Sequence, residues 1–164
     1  MRTSKTSKKG KCDMKKLFET SDGRKYKVGV DTYCDNPLAL GVVLTNTEDE
    51  YDYHVLTVNL GKYYRDETFI PMGASFIDVN SLSLTDKEIT RFLNEVSTPH
   101  KAFGVTATRD SGFVTYPLHD FNLEALAEYD KDGVEEYKKD YREALIAERK
   151  KMLEEAEELE DPER

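Results

Sequence analysis

Through most of the chain, short runs alternate apolar and polar residues and are set apart by turn-forming residues. "KLFET" (16–20) and "KYKVGVD" (25–31) flank the turn signal "SDGR", a pattern that predicts a hairpin. In "YCDNPLALGVVLT", Asp35-Asn36-Pro37 breaks the chain before an apolar run from Leu38 to Thr45. After the polar turn "NTEDE", the segment "YDYHVLTVNL" (51–60) alternates without a wholly polar face, which predicts a strand central to a sheet. "GKYYRDETFIPMGA" reads as a longer connection, and "SFIDVN" as a short strand.

A helix is signalled at "LTDKEITRFLNEV". Thr85 as N-cap and Glu88 three residues later form a capping box, and Ile89, Phe92, Leu93 and Val96 make an apolar stripe. Pro99 blocks further helix, and "FGVTATRDSGFVTYPL" supplies two more strands around Arg109-Asp110-Ser111-Gly112. There Phe113 and Tyr116 read as core and cross-strand contacts, Pro117 as the strand end, and Asp120 or Asn122 as cap of a helix starting near Leu123. The remaining chain is helical, with an interruption expected at Asp130-Lys131-Asp132-Gly133 and a long narrow stripe from Val134 to Leu159. The expectation is an α+β fold. It has a mostly antiparallel sheet of five to seven strands, one helix packed on it near 86–96, and a long acidic C-terminal helix projecting away.

Charge divides the chain. Residues 1–16 carry seven Lys or Arg and one Asp with almost nothing to bury, and read as a disordered basic arm. Met14 reads as a natural start, with the residues before it an upstream extension. The last 45 residues hold 17 acids and eight bases, which equals the whole net charge of −9. Three regions follow: the arm (1–16), an α+β domain (17–129) and an acidic helical extension (130–164). The acidic balance disfavours specific nucleic-acid binding and an anionic membrane surface, and favours a basic protein partner. No membrane-length apolar run and no signal-peptide core occur, so the chain reads as cytoplasmic, and Cys12 and Cys34 as reduced thiols.

Chemistry is thinly signalled. Cys34 with His54, His100 or His119 would make a nucleophilic pair, but nothing beside it lowers a thiol pKa, and it reads as a small apolar residue. Asp78, His119 and Asp120 would make a carboxylate–imidazole cluster if the fold joined them, though each also serves as turn former or cap. The histidines are scattered, there is no CxxC or HExxH spacing, and the isolated glycines form neither GxGxxG nor GxxxxGK, so no metal and no cofactor is expected.

"LTVNL" (56–60) and "SGFVTYPL" (111–118), with "YCDNPLALGVVL" and "SFIDVN", resemble an uncharacterised domain family of phages, plasmids and conjugative elements, over about residues 17–127. The resemblance implies an accessory protein of a mobile element that manages the host, anti-restriction or anti-CRISPR activity included. The expected function is non-enzymatic: an inhibitor or adaptor presenting acidic surface to a basic, nucleic-acid-handling host protein. Its candidate contacts are Tyr129, Tyr137 and Tyr141, taken as exposed anchors, and Glu154, Glu155, Glu157 and Glu158. The alternatives are a small enzyme using Cys34 or the Asp78/His119/Asp120 group, and a structural or regulatory dimer formed through the C-terminal helix.

Overall fold

The first two alternating runs do pair as a hairpin, closed by Gly23 at φ +95°, a conformation glycine takes without strain. The computed structural model describes residues 15–159; the expectations for residues 1–14, including the Met14 start and Cys12, lie outside them. The strands and helices are β1 (Phe18–Glu19), β2 (Lys25–Tyr33), β3 (Asn36–Asn46), β4 (Tyr53–Val55), β5 (Thr57–Val58), β6 (Tyr63–Arg65), β7 (Thr68–Phe69), β8 (Ala74–Ile77), α1 (Lys87–Val96), β9 (Ser97–Pro99), β10 (Lys101–Ala102), β11 (Val105–Thr106), β12 (Thr108–Ser111), β13 (Val114–Phe121), α2 (Leu123–Tyr129) and α3 (Lys131–Leu159).

The fold is α+β, and every ladder is antiparallel. In place of one sheet there are two main ones, in the orders β1-β2-β3-β4 and β12-β13-β8-β5, with β9 also on β13 and two small ribbons, β6-β7 and β10-β11. The division happens at Leu56. Its N–H donates to the Val42 carbonyl at 3.0 Å and its carbonyl accepts from Asp78 N–H at 2.9 Å, so the chain changes sheets at this buried residue. The run 51–60 is therefore not a central strand. Its two halves are edges, β4 of the first sheet and β5 of the second, and the mixed faces reflect that corner.

One core cluster holds the inner face of the first sheet (Tyr26, Val28, Val30, Leu40, Val42), the α1 stripe (Ile89, Phe92, Leu93, Val96) and the root of α3 (Val134, Tyr137, Tyr141). Phe92 joins them, edge-on to Phe18 at 5.0 Å and to Tyr129 at 5.5 Å. A smaller cluster, Tyr64, Ile70, Ala74, Phe76 and Leu118, lies under the second sheet.

Three local expectations are corrected, and a fourth, the cap of α2, is decided between its two alternatives. Residues 82–85 form a 3-10 turn, so α1 begins one residue later than the capping box implied; Asp86 is the N-cap and accepts from Glu88 N–H at 2.9 Å. Asn122, not Asp120, caps α2 by accepting from Ala125 N–H at 3.0 Å. Pro117 lies inside β13; the ladder to β8 starts at Leu118, so the missing N–H removes no bond. Phe113, at the tip of the β12–β13 hairpin, is fully exposed.

Candidate protein-binding surface

The acidic helix starts from a capped corner. Asp130 ends α2, and its carboxylate accepts from Gly133 N–H at 3.1 Å and from Val30 N–H at 3.0 Å, fixing the helix start to β2. The expected interruption falls at Asp130, between α2 and α3; Gly133 already lies inside α3, where a Cβ would collide with the Asp130 carboxylate and stand 2.5 Å from the Val30 carbonyl oxygen, so glycine lets the helix start approach β2.

Tyr129, Tyr137 and Tyr141 were expected on the surface; they are 6%, 0% and 5% exposed, which corrects that expectation. The i, i+4 spacing that suggested a partner-facing stripe is the stripe that enters the core. The Tyr137 oxygen accepts from Gly73 N–H at 2.7 Å, and the Tyr141 hydroxyl donates to the Ile70 carbonyl at 2.6 Å. Burial raises both phenol pKa values. Thr32 adds a hydroxyl bond to Asp140 at 3.1 Å.

Beyond Tyr141 the helix runs on for 18 residues, about 27 Å at 1.5 Å per residue. Lys62 holds its first part, pairing with Glu148 at 2.9 Å and drawn also toward Glu155, contacts that raise the lysine pKa. Glu154, Glu155, Glu157 and Glu158 extend an exposed surface that includes Ile146 and Leu153, 68% and 66% exposed. No basic residue stands in the last turn, so glutamates crowd the negative end of the helix dipole. Lys150 and Lys151 lie four residues before Glu154 and Glu155, the weaker orientation for intrahelical pairs.

The other candidates are dispersed. Cys34 is exposed, and each described histidine bonds elsewhere: His54 to Ser83 and Asp52, His100 to Asp120, His119 to Ser97. His119 and Asp120, adjacent on β13, point to opposite faces, and Asp78, just past the end of β8, lies three residues beyond Ser75, the residue opposite His119, about 10 Å away. Burial lowers the His119 pKa. Sequence reasoning missed the Ser83–His54–Asp52 chain, with contacts of 2.8 and 2.9 Å. Asp52 also accepts from Tyr26 and Asn46, so this chain ties the 3-10 turn onto the first sheet; only spatial proximity reveals it.

Fold and surface together define an α+β domain closed by the root of a long helix whose acidic end leaves the core. The chain belongs to the family described as domain of unknown function DUF4313, whose model matches residues 17–141. That match reaches beyond the resemblance at 17–127 and ends at Tyr141, the last buried residue of α3, leaving the glutamate-rich end outside it. No curated protein and no solved structure matches the chain. No helix among the described residues is long and apolar enough to cross a membrane.

Proposed function

We propose that this chain is a non-enzymatic accessory protein of a mobile genetic element that binds a basic, nucleic-acid-handling host protein through the distal end of α3 and blocks a host defence. One observation carries the reading: the glutamates of the last turn of α3 stand at exposed positions against the helix dipole, with no basic residue in that turn. Each costs a few tenths of a kcal/mol there. Complementary charge on a partner would reverse that cost and speed association. The mobile-element context rests on the resemblance carried by residues 56–60 and 111–118.

A second reading has its own observation. Arg149, Lys150 and Lys151 precede the glutamates, so two copies of α3 set antiparallel would place each basic triplet against the other's acids, around Leu153.

The test compares the full chain with a Glu154→Lys/Glu157→Lys/Glu158→Lys variant in pull-downs at low and moderate salt, together with a plasmid-transformation assay in restriction- or CRISPR-proficient cells. The expected result is a basic partner captured by the full chain alone, released by salt, with defence relieved only by that chain. Equal capture and equal relief by the variant would rule out the distal face. A salt-sensitive dimer in sedimentation, with no partner captured, would favour the second reading.

A further inference from the structure

An antiparallel sheet with one face on the core turns polar side chains to water on the other. The first sheet departs from this. Tyr26, Val28, Val30, Val42 and Leu44 point into the core, where His54 meets the Tyr26 ring, so the odd-numbered residues of β2, β3 and β4 face outward. Across the ladders Gly29 stands opposite Val43 and Val43 opposite Val55, a row without a polar side chain, and the next row is Lys27, Thr45 and Tyr53. Tyr53 and Val55 are 59% and 37% exposed on the edge strand β4, an apolar border that marks an interaction surface.

The face has a hollow on one side and a ridge on the other. At the β2 side a cleft of about 450 Å³ opens against the α2–α3 corner, with Gly29 in its floor, Asp132 in its wall and Val55 at its far rim. A Cβ at Gly29 would meet nothing nearer than the Val43 carbonyl oxygen at 4.0 Å, so the floor is open. Floor and ridge lie one strand to either side of β3, roughly 5 Å each way.

Charge in the hollow is mixed. Lys27 and Asp31 share the outward row of β2, Asp132 stands in the wall, and Lys15 and Lys16 are paired with Asp130 and Glu128. Such a lining selects neither an anion nor a cation. It suits a neutral phenol, whose ring face takes an ammonium and whose hydroxyl donates to a carboxylate. Because Lys27 and Asp31 cancel, the sheet face also escapes the repulsion between copies that a net charge of −9 imposes elsewhere.

We propose that the occupant of this face is a second copy of the chain, packed sheet to sheet about a two-fold axis along β3. The axis exchanges β2 and β4, so that Val55 of each copy lies over the other's Gly29, Tyr53 lies over the other's Lys27, and the two Val43 side chains meet at the centre. One operation seats both ridges in both hollows, the self-complementarity an isologous interface requires. The interface is apolar at its centre and apart from the distal end of α3, so it differs from a salt-sensitive pairing of those helices, and it stands or falls independently of the function proposed above.

The test is sedimentation equilibrium of the full chain from micromolar to submillimolar concentration at low and high salt, with isotope-filtered NMR on a mixture of labelled and unlabelled copies. A dimer that persists at high salt is expected, with contacts between copies from the Tyr53 ring to Lys27 and from Val55 to Gly29. Tyr53→Ala is expected to raise the dimer dissociation constant at least about tenfold, and Gly29→Val, which fills the floor from the other side of the interface, to do the same. Val55→Lys takes the place of the valine variant if circular dichroism shows that variant to be misfolded. A monomer throughout the range, a dimer dissolved by salt, parental association in the Tyr53 and floor variants, or a dimer abolished by Glu154→Lys/Glu157→Lys/Glu158→Lys but not by Tyr53→Ala would each overturn the proposal.

Discussion

Replacing Tyr137 by Phe removes one oxygen from the centre of the molecule and tests how α3 is anchored. The side chain is 0% exposed, and its oxygen accepts from Gly73 N–H at 2.7 Å. Gly73 holds φ at +88° in the corner leading into β8, and its carbonyl accepts from Phe121 N–H at 2.8 Å. The phenol thus joins α3 to the corner where β8 and β13 meet. The variant keeps the ring and leaves a buried N–H unpaired, a loss of about 1–3 kcal/mol. For a chain of this size that lowers the melting temperature by roughly 2–12 °C. Tyr141→Phe is the control: it strands a carbonyl acceptor at Ile70 and not a donor, and is expected to cost less. Urea titrations followed by circular dichroism measure both. A Tyr137→Phe variant within about 0.5 kcal/mol of the parent would refute the claim that this bond anchors the helix root.

Two further predictions concern the helix boundary and a cap. A chain ending at Leu145 should retain a cooperative transition near that of the full chain, whereas one ending at Tyr129 should lose it, because it forfeits Val134, Tyr137 and Tyr141 from the core; thermal scans of both decide. Asp86→Asn keeps a capping side chain but should destabilise at neutral pH by on the order of 1 kcal/mol, through loss of the ion pair to Arg24 at 2.8 Å and of the negative charge at the N-terminus of α1. The Arg24 hydrogen bond holds the Asp86 carboxyl below its ordinary 3.8. Its contribution is therefore fully present above that pH and fades as pH falls through the lowered value, so the gap between parent and variant should be constant above about pH 5 and close in stronger acid. A gap unchanged down to pH 2 would show that the charge has no part in it.

Local pattern determined the elements whose signals are contiguous. The β1–β2 hairpin follows from alternation around Ser21-Asp22-Gly23. The α1 face follows from Ile89, Phe92, Leu93 and Val96, because a period near 3.6 leaves one side to bury. The acidic balance of the last 45 residues is likewise a property of composition alone. Tertiary structure alone decided where those patterns point. The alternation of 51–60 is compatible with a central strand, and it is the long-range bonds from Leu56 to Val42 and Asp78 that break it between two sheets. The tyrosine stripe of α3 is equally suited to a partner and to a core, and became core because β2 and the β7–β8 corner lie over it, with Gly73 and Ile70 taking its phenols. His119 and Asp120 are neighbours in sequence, yet strand geometry sends them to opposite faces, while Ser83, His54 and Asp52 are brought together from separate segments. Periodicity records that a residue has an apolar or polar side; which surface meets that side depends on contacts between distant parts of the chain, and no local pattern carries them.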